Sequence, residues 1–133
     1  MKFRIRSVDH EPDDLPAQLP LRGRLLRKIA GPPRRPEYWL AELDAPVTWR
    51  QDEVTRTIRH LILTGRWESG SIGPGANLPV NIWYVLDDAV LRADSFDEPQ
   101  ATFAAIGMAK IKRPSLWARL IGAGRSNEPE QRK

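Results

Sequence analysis

Two alternating apolar runs, held apart by a glycine-rich connection too long for a hairpin turn, constrain this chain more than any other feature. Residues 54–64 and 80–86 are rich in β-branched and aromatic side chains and predict two strands. Their period requires Ile58, Ile62, Ile82, Tyr84 and Leu86 to face an interior. The connection, residues 65–79, far exceeds a tight hairpin and holds Gly65, Gly70, Gly73 and Gly75, and within 68–77 its single large apolar group is Ile72. A connection of that kind is a candidate for binding.

More strands follow on either side. Phe3 and Ile5 alternate with Lys2, Arg4 and Arg6, which predicts an opening strand over 2–8 with one wet face. Pro12, Pro16 and Pro20 break residues 9–20 into an extended or single-turn connection. Residues 21–29 fit either period, but Gly23 and the terminator Ala30-Gly31-Pro32-Pro33 favour a strand. Residues 38–43 predict the next strand, ended by Asp44-Ala45-Pro46. Asp87-Asp88 suits a two-residue turn that returns 89–93 beside 80–86. A last strand spans 102–112, with small residues marking close approach or a barrel corner. Pro114 then opens a short helix to Ile121.

The chain therefore reads as all-β and mainly antiparallel: a small closed or half-open barrel, or a sandwich, of about six or seven strands with a short C-terminal helix. A barrel is favoured because an open sheet of this size leaves unpaired edges. With 133 residues, 41% hydrophobic and 29% charged, one domain over 1–125 is expected, with a flexible polar tail over 126–133. The chain has no cysteine, which excludes disulfides, thiol chemistry and thiolate zinc sites. It has neither a signal-peptide pattern at its start nor the roughly 18 apolar residues that span a bilayer, so a cytoplasmic protein without a membrane role is expected.

Catalytic chemistry finds little support. Gly70–Gly75 lacks the Lys-Ser/Thr ending of a phosphate loop, and Pro74 removes an amide donor. His10 with Glu11, Asp13 and Asp14 reads as a solvated acidic turn, and His60 as an ordinary strand residue. No catalytic residue, metal or cofactor is expected. Binding residues are better represented. The net charge is +4, and residues 22–35 carry Arg22, Arg24, Arg27, Lys28, Arg34 and Arg35 without one acid. Trp49 and Trp67 fall at strand ends beside Arg50 and Arg66, where a ring next to a cation can stack a base or anchor a protein. The candidate binding set is Trp67, Arg66, Trp49, Arg24, Lys28, Arg34 and Arg35. The first expectation is a non-catalytic β-barrel module that binds a protein through the 65–79 connection and the strand ends. The alternative is an OB-like nucleic-acid-binding barrel using the 22–35 stripe and exposed tryptophans. Self-association is a further option.

Overall fold

A computed structural model describes residues 1–9, 18–32, 37–51, 53–66, 72–75 and 77–113. The predicted C-terminal helix and polar tail lie outside these residues. Six strands form: β1 (Lys2–Val8), β2 (Leu21–Ile29), β3 (Tyr38–Gln51), β4 (Val54–Gly65), β5 (Leu78–Val85) and β6 (Ala101–Lys112). Each pairs antiparallel with the next, and β6 returns to β1, so the sheet closes in chain order with no crossover. Closure removes the edges that an open sheet of this length would expose. This simple meander also differs from the five-stranded Greek key of an OB fold.

Alternation fills the interior. Ile5, Leu21, Leu43, Leu61, Leu63 and Ile82 are almost wholly buried in one cluster that lines the inside of the barrel. Gly23 sits where β1, β2 and β3 come closest. A Cβ there would run into the Glu42 carbonyl and the Phe3 ring, so only glycine permits this approach. Gly107 plays the same part on β6, where a Cβ would stand 2.8 Å from Ile82 and 3.0 Å from Ile5.

A second apolar cluster lies on the outer wall. There Ile29, Tyr38, Leu40 and Ile62 are covered by Val90 and Phe96 from the β5–β6 connection. Tyr38, Phe96 and Trp83 meet edge-to-face, with ring centroids 5.1 to 6.4 Å apart. The covering segment is held down by polar contacts. The Arg27 guanidinium donates to the carbonyls of Val90, Leu91 and Ala93, the Ala30 N–H donates to the Asp94 carbonyl, and the Phe96 N–H donates to the Ala30 carbonyl.

Four sequence expectations change. Residues 89–93 do not return as a strand, because β6 already occupies the free side of β5, pairing Val85 with Ala101. Asp88–Arg92 instead makes a single-turn 3-10 helix, its first turn capped by Asp87, whose carboxylate accepts from the Ala89 N–H. Leu86 lies beyond the end of β5 and is 43% exposed rather than buried. Pro46 does not end β3 either. The register with β4 shifts between Glu42 and Val47, and this bulge accommodates a residue with no amide proton. Ile58, Ile82 and Tyr84 are buried in the interior cluster as expected, whereas Ile62 is buried on the outer wall, because the register shift between Glu42 and Val47 puts it on the other face from Ile58. Among the described residues, no helix is long and apolar enough to cross a membrane.

Candidate anion-binding face

The predicted binding residues do not come together as one stripe. Trp49 is corrected outright. Since β3 runs on past it to Gln51, the ring is an interior position, 1% exposed and packed 6.0 Å from the Tyr84 ring, with no face left for a ligand. Arg34, Arg35 and Trp67 lie outside the described residues. A bulge in β2 between Leu25 and Arg27 separates Lys28 from Arg24. Lys28 comes down beside Glu37 at 3.4 Å and over the Trp39 ring at 5.6 Å. Arg27 is committed to the β5–β6 connection. Arg66 stands at the rim of a groove on another side of the barrel.

The cations that do assemble come from three strands. Lys2 on β1 lies across from Arg24 on β2 and from Lys112 on β6. Two residues along, Arg4 lies across from Arg22 and from Lys110. The outer wall of β2–β1–β6 thus carries two rungs of three cations each. With strands about 4.8 Å apart and a rise of about 3.4 Å per residue, the backbone positions of all six fit in roughly 10 by 7 Å. Like charges directly opposite across a strand pair repel, so this arrangement costs stability. Arg22, Arg4, Lys2, Lys110 and Lys112 border one depression of about 210 Å³. An adjoining one of about 340 Å³ is lined by Arg4, Arg6, Leu19 and Pro20.

Among the described residues, two acids stand near. Asp44 lines the first depression, and Glu42 is bonded to Arg24 at 2.9 Å. The hydrogen bond from Arg24 is the main reason the Glu42 carboxyl sits below its usual range, opposing a smaller effect of burial and aided by the charges of Arg24, His60 and Arg59. His60 Nε2 is 3.3 Å from the same carboxylate and so joins this outer-wall chain. Arg4 Nε is buried without a hydrogen-bond partner among the described residues, an unfavourable state for a donor attached to a charge. The face is therefore a concentrated positive field that the acids among the described residues only partly balance.

Glu37 anchors the opposite end of β2. Burial alone would raise its carboxyl, but hydrogen bonds from the Trp39 indole and the Ile72 backbone N–H, with the charge of Lys28, outweigh this and hold it low. The described part of the 65–79 connection is consequently pinned. Ile72 is buried in the interior cluster, and the Gly75 N–H donates to the Ile111 carbonyl.

A separate concavity, about 400 Å³, lies on the outer wall beyond β6 and is lined by Tyr38, Thr64, Arg66, Asn81, Trp83, Glu98, Phe103 and Ile106, with Pro32. No group of three or more His, Asp or Glu suited to a metal occurs among the described residues, and the His10 cluster lies outside them.

Sequence reasoning missed Lys2, Arg4, Lys110 and Lys112 as members of one site. The signal was present as cation–apolar alternation at both ends of the chain, Lys2-Phe3-Arg4-Ile5 and Ala109-Lys110-Ile111-Lys112. Only barrel closure makes those strands neighbours. Scans of family models, of curated proteins and of solved structures each give no match to this chain.

Proposed function

We propose that this protein is a non-catalytic binding barrel whose β2–β1–β6 face takes the phosphate backbone of a nucleic acid. The observation that carries the reading is the double rung of Lys2, Arg4, Arg22, Arg24, Lys110 and Lys112. A fold gains nothing from opposing like charges, whereas a polyanion relieves their repulsion and releases its own counterions. Arginines at three of the six positions add forked donors that match phosphate oxygens.

The test is the salt dependence of binding to a fluorescein-labelled single-stranded thymidine oligomer, followed by anisotropy. Six cations less the two nearby acids leave about four for phosphate. At a slope of about −0.7 per phosphate, affinity falls about 50-fold between 50 and 200 mM salt. No binding at 50 mM salt contradicts the reading.

A protein partner on the 65–79 connection is the second reading, favoured by the anchoring of Ile72 and Gly75, which holds part of that connection ready without an ordering cost. A partner bound there gives a much flatter salt dependence and is indifferent to changes at Lys110.

A further inference from the structure

Resting on the nucleic-acid reading, we propose that the strand bound is single and that its unpaired bases enter the 400 Å³ groove beside Trp83 and Phe103. The outer face of β6 joins the two regions. Phe103, Ile106 and Met108 run along it, followed by Lys110 and Lys112 of the basic face. Ile106 and Lys110 are four residues apart, about 14 Å along an extended strand. A few nucleotides span that distance, well within the 4 to 16 that small barrels cover.

The chemistry of the groove fits a base rather than a hydrocarbon. Phe103 is 44% exposed and meets Trp83 edge-to-face at 5.9 Å, so a large ring face stays open at the surface. Thr64, Asn81 and Arg66 line the same groove. Trp83 lines it with its indole Nε1 buried and without a hydrogen-bond partner among the described residues, and Asn81 is 6% exposed. An indole N–H held in that state is costly unless a ligand edge accepts from it, and the Asn81 amide both donates and accepts as a base edge requires. Unpaired bases are recognised by this combination of ring stacking and edge hydrogen bonds. Lipid chains have no use for the amide, and a duplex keeps its base faces covered.

The experiment compares two labelled oligomers of equal length by anisotropy, a thymidine strand and the same phosphodiester chain with abasic units. The full chain is tested with Phe103→Ala, Phe103→Tyr and Asn81→Leu. The wild type should prefer the thymidine strand by about 5- to 150-fold, the range of one stacking contact. Phe103→Ala should remove most of that preference and leave affinity for the abasic chain and its salt slope unchanged, and Phe103→Tyr should restore the preference. Asn81→Leu should reduce the preference without lowering the thermal midpoint of the free protein. Equal binding of the two oligomers by the wild type overturns the base site and leaves the phosphate face standing. Failure of both to bind overturns the phosphate reading itself. Loss of affinity for both oligomers in Phe103→Ala, or binding to phosphatidylserine vesicles that Phe103→Ala abolishes, also overturns the base site.

Discussion

Replacing Lys110 by glutamate should make the protein more stable and a poorer binder, a combination that a purely structural cation cannot produce. Lys110 faces Arg4 directly across the β1–β6 ladder, next to Lys2, Lys112 and Arg22. Opposed side chains place their charges about 6–7 Å apart, which in water gives about 0.6 kcal/mol of repulsion. Screening leaves about 0.5 kcal/mol near 0.01 M salt, where the Debye length is about 30 Å, and about 0.3 kcal/mol near 0.15 M, where it is about 8 Å. Reversing one sign turns this repulsion into attraction. Lys110→Glu should therefore stabilise by about 1 kcal/mol at low salt and about 0.6 kcal/mol at 0.15 M, and Lys110→Gln by about half as much. Urea denaturation at the two salt concentrations measures the gain as a shift in midpoint at constant slope. The same variant should flatten the salt dependence of oligonucleotide binding by about 1.4 in log–log slope, because the face loses two units of charge. A variant less stable than wild type, or a gain that does not shrink with salt, refutes the claim that the rungs repel.

Three further outcomes are expected. Glu42 and Glu37 both have carboxyls held below the unfolded value of 4.5, so each contributes stability that is complete above about pH 5 and lost as pH falls through 4.5 toward the lower folded value. Acid titration of the Glu42→Gln variant, followed by circular dichroism, should accordingly show a shallower loss of stability below pH 4.5 than wild type. Ile62→Ala removes a wholly buried side chain from the outer cluster beneath Val90 and Phe96, and should cost about 2–5 kcal/mol in chemical denaturation. A change below about 0.5 kcal/mol there means that the β5–β6 connection does not cover the wall. Gly23→Ala should lower the thermal midpoint by several degrees, since its Cβ would meet the Glu42 carbonyl, which is backbone and cannot swing away; an unchanged midpoint contradicts the close approach.

Strand identity was legible because a period of two leaves few choices. Residues 2–8, 21–29 and 54–64 alternate, and each is a strand. Barrel closure followed from strand number and the cost of open edges. What escaped was anything that depended on a partner distant in sequence. Pro46 looks like a strand end until β4 is placed opposite it, where the bulge between Glu42 and Val47 absorbs it. Residues 89–93 are apolar enough for a strand, but the side of β5 they would use belongs to β6. The binding residues were harder still. Arg22 to Arg35 is a cluster along the chain, yet the bulge after Leu25 and the pairing of Arg27 with three carbonyls scatter it. The basic face joins the first, second and sixth strands, so no local window contains it. Trp49 shows the same limit in reverse: a ring beside an arginine looks like a surface contact until its strand is seen to continue past it.

The central claim, that the β2–β1–β6 wall holds the phosphates, is tested most directly by mapping amide shifts in a ¹⁵N spectrum as a thymidine oligomer is added at low salt. The account predicts that the amides of Lys2, Arg4, Arg22, Arg24, Lys110 and Lys112 move together along one binding curve, and that raising the salt abolishes the movement. Shifts confined to residues 65–79, or a spectrum unchanged at saturating oligomer, contradict it.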